Sequence, residues 1–180
     1  MLDGMEGGLR GGSLSDVRAL VRMHAECSPL SLQRRYLAPM PVLSVPMATR
    51  LLNPPGGFSI VMERAGALTG IVTVSPQQAA LADVGLLVAD PWQRQGLGTR
   101  LLVAAARDAT GTGIETLELT VPPDSPGVLA MVNGAGLRAR ISITDGLTRI
   151  RIPLVASRPL RVASGGDPQA PDAGIPAPGG

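Results

Sequence analysis

The chain contains no lysine; all sixteen of its basic residues are arginine. That absence excludes catalysis through a lysine Schiff base, and it excludes self-acetylation on a lysine side chain. Cys27 is the single cysteine and His24 the single histidine. No intramolecular disulfide can form, no multi-cysteine or histidine-rich metal site can be assembled, and no metal is expected. A Ser–His–Asp triad would have to use His24. Aromatic residues are limited to Tyr36, Phe58 and Trp92, too few for the stacking platforms of a single-strand nucleic-acid binder. The net charge of +2 makes no strong electrostatic case for nucleic acid or for a membrane surface. No apolar run approaches the ~20 residues needed to cross a bilayer. The opening "MLDGMEGGLRGG" has acidic residues and glycines where a signal peptide would be basic and apolar, so the expected setting is the cytoplasm.

What the chain does have suffices for one domain. Across 180 residues, 44% are apolar, enough for one core but not comfortably for two. Residues 1–12 are glycine-rich and expected to be loose, apart from a short strand near Leu9. The folded domain is expected over residues 13–155. In "SLSDVRALVRMHAEC", Val17, Leu20, Val21 and His24 recur at helical spacing after a Ser or Asp start. "SPLSLQRRYLAP" and "LSVPMATRLLNPP" predict two further helices, each ended by proline. "FSIVMER" and "ALTGIVTVS" read as strands around a turn at Ala65–Gly66, and "AALADVGLLV" as the next strand. A helix from Gly96 to about Ala109, the strand "IETLELTV" and the helix "SPGVLAMVNGAG" follow.

The segment "LRARISITDGLTRIRIPL" predicts a hairpin turning at Asp145–Gly146. That register sets Ile141 opposite Ile150 and Ala139 opposite Ile152 on a buried face, and Arg140 opposite Arg151 on the other. Like charges directly across a ladder are unfavourable. The arginine face reads either as solvated surface or as a patch for an acidic partner or a second subunit. Residues 156–180 are rich in Ala, Pro and Gly without periodicity and are expected to be a disordered tail. The order of elements predicts one α/β (or α+β) domain.

The chemistry-bearing stretch is "DPWQRQGLGTRLLVAAARDA", with Gln93-x-x-Gly96-x-Gly98 between a strand and a helix. A glycine turn at a helix entrance leaves several backbone N–H groups without internal partners, and such a spot favours a phosphate. The Gly-Lys-Ser/Thr ending of a nucleotide P-loop is absent, and a dinucleotide fold would want a third glycine.

In this context residues 84–109 resemble the acetyl-CoA-binding signature of the GNAT acetyltransferase superfamily, Gln/Arg-x-x-Gly-x-Gly/Ala. "CSPLSLQRRYLAPMPVLS", "ALADVGLLV" and "DSPGVLAMVNGAGLRAR" are similar to segments of the GNAT domain of actinobacterial protein lysine acetyltransferases. The resemblance spans roughly Leu9 to Leu154. It implies a mixed, mostly antiparallel sheet of about seven strands flanked by helices and splayed between the fourth and fifth strands. It implies acetyl-CoA as co-substrate, with an amine acceptor that is a small molecule or a protein lysine; the arginine-rich hairpin face is the candidate contact for a homodimer.

Carried over by position, the CoA diphosphate belongs on the loop of Gln93, Arg94, Gln95, Gly96, Leu97, Gly98 and Thr99, with the two glycines bare so that it can approach. Leu86, Leu87 and Val88 should pair their backbone with the pantetheine arm. Where those acetyltransferases carry a glutamate base, this chain has Asp83, one methylene shorter. Where many family members place a tyrosine acid, it has Val132. Where they begin the helix with asparagine, it has Ser125, whose hydroxyl is expected to cap the helix and reach the pantetheine. These departures leave open a second reading, a non-catalytic CoA-binding regulatory module.

Other polar residues are assigned lesser roles. His24 is expected to be packed, and Cys27 to be no nucleophile for want of a base or positive pocket. Glu63 and Glu118 are expected to face solvent, while Arg35 and Tyr36 line the acceptor entrance or simply pack.

Overall fold

The computed structural model describes residues 8–39, 42–78 and 80–154. Strand β1 (Gly8–Gly11) is followed by three helices, α1 (Val17–Ala25), α2 (Pro29–Tyr36) and α3 (Val45–Leu52). Serine caps start two of them: Ser28 Oγ accepts from Ser31 N–H at 3.2 Å and Ser44 Oγ from Met47 N–H at 3.4 Å. Each cap is followed within two residues by a proline that needs no hydrogen-bond partner there. Then come β2 (Phe58–Arg64), β3 (Ala67–Pro76), β4 (Leu81–Val88), α4 (Leu97–Ala109), β5 (Thr116–Val121), α5 (Pro126–Gly134), β6 (Arg140–Thr144) and β7 (Leu147–Pro153).

The seven strands form one sheet in the order β1-β2-β3-β4-β5-β7-β6. Every neighbouring pair is antiparallel except β4 and β5. That parallel pair is short: it joins Leu81–Asp83 to Thr116–Glu118 and stops. Beyond Asp83 the two strands part, so residues 84–88 have a ladder partner only on the β3 side.

Strand alternation divides the core in two. Ile60, Val72, Val84 and Val88 pack beneath α4, and Val61, Ile71 and Leu87 beneath α1–α3. Helix α4 presents Leu97, Leu101, Leu102 and four buried alanines, so its backbone lies close to the sheet. A methyl added to Gly70 would approach Leu101 Cδ1 to 2.9 Å, which shows how tight that contact is. On the opposite face β4 directs Asp83, Gly85 and Leu87 toward the α1–α2 layer.

The hairpin register is as read, with Arg140 opposite Arg151 and Ile141 opposite Ile150. The expected burial holds for only one strand. Ile150 and Ile152 are fully buried, whereas Ile141 is 56% and Ile143 72% exposed. Ala139 lies outside the ladder altogether. The cause is topological: β7 enters between β5 and β6, leaving β6 as an edge strand with no helix across it among the described residues. The expected C-terminal tail lies outside the described residues. Among the described residues, no helix is long and apolar enough to cross a membrane.

Candidate active site

A cavity of about 750 Å³ opens where β4 and β5 part. Its walls come from the end of α2, from β4, from the loop and first turn of α4, from β5 and from the start of α5. Of the residues that the sequence assigns to the coenzyme or to catalysis, all but Gln95 line it: Asp83, Leu86, Leu87, Val88, Gln93, Arg94, Gly96, Leu97, Gly98, Thr99 and Ser125.

The helix entrance supplies unpaired donors. Arg100 N–H is the first of α4 to find a backbone acceptor, Gly96 C=O at 3.1 Å. The N–H groups from Arg94 to Thr99 have no hydrogen-bond partner among the described residues. The two glycines serve the cradle differently. Gly96 is the helix N-cap in the left-handed region, φ 76°, with open space where a side chain would stand. Gly98 leaves room instead for Met131 of α5, whose Sδ would lie 3.0 Å from an added methyl. Arg94, also at positive φ of 60°, lines the cavity near the start of α5.

The glutamine side chains do structural work. Gln93 Nε2 lies 3.0 Å from Val88 C=O, 3.0 Å from Ser31 Oγ and 3.1 Å from Asp90 Oδ1. It thus ties the end of β4 to the start of α2, and it occupies the Val88 carbonyl. Asp90 accepts from Ser28 N–H at 3.2 Å, a second tie between the same parts. Gln95 Nε2 donates to Pro91 C=O at 3.1 Å, and its Oε1 accepts from Arg64 at 3.2 Å.

Ser125 corrects an expectation. It is the N-cap of α5, but its hydroxyl makes no capping hydrogen bond. Its backbone φ and ψ of −114° and 59° take it out of the extended region that a capping serine uses. The Oγ is buried, without a partner, at the cavity wall. An orphaned buried hydroxyl beside a file of orphaned amides suits a ligand rich in phosphate and amide groups.

Asp83 lines the same cavity half-buried, and among the described residues its carboxylate accepts no hydrogen bond. Burial pushes its carboxyl above the usual range; Arg35 opposes that shift and Glu118 adds to it. Glu118 lies directly across the parallel ladder from Asp83. It does not face solvent as expected: it is buried, held by Arg151 Nε at 2.6 Å and Arg149 Nη1 at 3.5 Å. Two arginines of the hairpin face therefore have an internal partner, a role that sequence reading missed because β5 and β7 are not consecutive.

Arg35 and Tyr36, at the end of α2, both line the cavity. The guanidinium rests on Gly85, where an added methyl would overlap it, and stacks 5.1 Å from the Tyr36 ring centre. His24 is buried behind Tyr36, ring centres 5.6 Å apart, with Nε2 unpartnered. Burial lowers its pKa, so it is a neutral packed ring. Cys27 is buried and its thiol is pushed up to about 11, chiefly by burial. Val132 is part of the core beneath α4 and α5 and contributes no acid. No group of three or more His, Cys, Asp or Glu that could hold a metal occurs among the described residues.

Comparison with known proteins gives a consistent picture. The model of the Acetyltransferase (GNAT) family matches residues 19–134. No curated protein sequence matches the chain. Among solved structures, the GNAT domain of Streptomyces (S.) lividans PAT superposes with a TM-score of 0.74 at 24% identity, covering 82% of this chain and 90% of that one. The protein yncA of Salmonella typhimurium, solved with its cofactor acetyl-CoA, gives 0.66 at 16% identity over 91% and 98%. A ribosomal-protein-alanine N-acetyltransferase of Brucella melitensis gives 0.64 at 15% identity over 81% and 97%. At these identities the structural likeness establishes the fold.

Proposed function

Because the chain belongs to the GNAT acetyltransferase family, we propose that this cavity moves acetyl from acetyl-CoA straight to a primary amine, with Asp83 as base. The observation that carries the reading is the file of unpaired N–H groups from Arg94 to Thr99, which opens onto the free edge of β4 and leads to Asp83. A diphosphate fits the first, through the anion preference of a helix start. A pantetheine arm fits the second, as an added strand beside Leu86 and Leu87. Ser125 Oγ stands ready for one of its amides.

The chemistry follows from charge. A primary ammonium has no lone pair, and an alkylamine holds its proton up to about pH 10.4. Asp83 takes that proton, directly or through one water, as nitrogen attacks the thioester carbon. The C–N bond forms, the carbonyl oxygen gathers negative charge beside β4 N–H groups, the C–S bond then breaks, and the second proton on nitrogen passes to the departing sulfur or to water. The thiolate, with a pKa near 8.5, leaves without an obligatory acid, so a valine at position 132 is compatible with turnover. No covalent enzyme intermediate is needed, and buried Cys27 offers none. The acceptor is of the protein-lysine class that the sequence resemblance implies or is a small amine, and the setting is cytoplasmic.

Asp83→Ala is the test. Unchanged CoA affinity with acetyl transfer reduced at least about 100-fold is expected of a general base. A wild-type protein that binds CoA but transfers acetyl to no amine would favour the regulatory module instead.

A further inference from the structure

The acceptor side of the cavity carries an unusual charge pattern. Among the described residues that line the cavity, Asp83 is the only carboxylate, against three guanidinium groups, Arg34, Arg35 and Arg94. Arg94 stands at the amide cradle, whereas Arg34 and Arg35 come from α2, on the face of β4 that bears Asp83 and Gly85. Arg35 is half-buried, yet among the described residues its side chain makes no hydrogen bond and no ion pair, with Asp83 or any other group. Its one contact of note is the Tyr36 ring. Asp83 is felt by this guanidinium only through space. A guanidinium drawn partly out of water with no carboxylate in hydrogen-bond reach is costly, and its planar fork matches a carboxylate in two parallel hydrogen bonds.

Its position is built. Gly85 has no side chain where the guanidinium rests, and any side chain there would displace it. The start of α2 is tied to the β4–α4 loop by Ser28, Ser31, Asp90 and Gln93, which fixes the helix that delivers Arg35. Asp83 and Gly85 are two residues apart on one face of a strand, about 7 Å. A molecule with an amine and a carboxylate a few bonds apart can address both at once.

We infer that the acceptor carries a carboxylate close to its reactive amine, gripped by Arg35 while Asp83 faces the amine. This rests on the acetyl-transfer reading of the cavity. Free amino acids satisfy it, and so does a lysine flanked by acidic residues. Polyamines and lysines in basic segments do not, because Arg34 and Arg35 repel them.

The full chain is assayed with acetyl-CoA on matched pairs: L-amino acids against their carboxamides, and lysine peptides flanked by aspartate against the same flanked by asparagine. Spermidine is a further acceptor. The carboxylate member of a pair should be preferred about 10- to 100-fold in kcat/KM, the range of a charged hydrogen bond, and the pair that shows it identifies the source. In Arg35→Gln the preference should collapse toward one through a rise in KM for the carboxylate member. Gly85→Ala, whose methyl overlaps the guanidinium, should do the same by a different route.

Equal rates within every pair, a preference for spermidine, or a preference that survives both variants overturns the inference. So does an Arg35-dependent preference for succinyl-CoA over acetyl-CoA, which would assign the guanidinium to the donor. Should CoA bind and no amine turn over, the acetyl-transfer reading fails separately. Calorimetric binding of the same pairs to CoA-loaded protein then decides: carboxylate-selective binding lost in Arg35→Gln upholds it, and its absence overturns it.

Discussion

At the scale of single residues, the decisive pair is Asp83 and Glu118, side by side on β4 and β5. Burial raises the Asp83 carboxyl, Arg35 opposes the shift and Glu118 reinforces it. A base must be ionised, so the acid limb of kcat/KM should lie above the ordinary aspartate value of about 3.9. Glu118→Gln removes the neighbouring negative charge and leaves Arg149 and Arg151 uncompensated, so the limb should move to lower pH. A limb that does not move would detach Asp83 from the rate.

His24 makes a separate prediction, about stability. Burial depresses its folded pKa, so between that value and about 6.5 the unfolded chain holds a proton that the folded chain does not. Stability is therefore lost as the pH falls below about 6.5. Urea midpoints measured from pH 7 downward should show the decline, and His24→Leu should flatten it. The Asp16 carboxyl, lowered chiefly by its hydrogen bond from Arg10, acts in a lower window. Its contribution is present above about 3.9 and lost as the pH falls through the depressed value.

At the scale of elements, the cradle depends on two glycines that are not equivalent. Gly96→Ala forces a side chain into the left-handed region at φ 76°, costing about 1–2 kcal/mol. It also turns the amides away from the proposed diphosphate seat, so stability by chemical denaturation and CoA affinity should fall together. Gly98→Ala is crowded only by the sulfur of Met131, with Leu86 at ordinary contact distance; that sulfur belongs to a flexible side chain, so the variant should cost less stability. An equal loss in both variants would contradict this division of labour.

These elements were legible because their signals are local. Ser–Pro starts, the Asp145–Gly146 turn and the strand–glycine–helix run each state their geometry within a few residues. What escaped reading required contacts between distant segments. The uncapped Ser125, the Glu118 clamp and the seat of Arg35 on Gly85 are set by tertiary packing, not by a spacing in the chain.

At the scale of the whole molecule, the sheet order explains both the site and its surroundings. Pairing of β4 with β5 over three residues and no more creates the opening. Insertion of β7 beside β5 closes the far side with Arg149 and Arg151 on Glu118, and leaves β6 exposed at the edge. That order could not be read from the elements in sequence; the family resemblance implied only the mixed sheet and its splay between the fourth and fifth strands. The hairpin register was read correctly, while the burial of Ile141 was not, because burial depends on which strand of the hairpin meets the sheet.

The most direct measurement is a crystal structure of the chain with CoA. The diphosphate should rest on the N–H groups between Arg94 and Thr99, and the pantetheine should run beside Leu86 and Leu87 with its sulfur directed toward Asp83. A coenzyme bound away from the α4 entrance, or one whose thiol ends remote from Asp83, would contradict the reading.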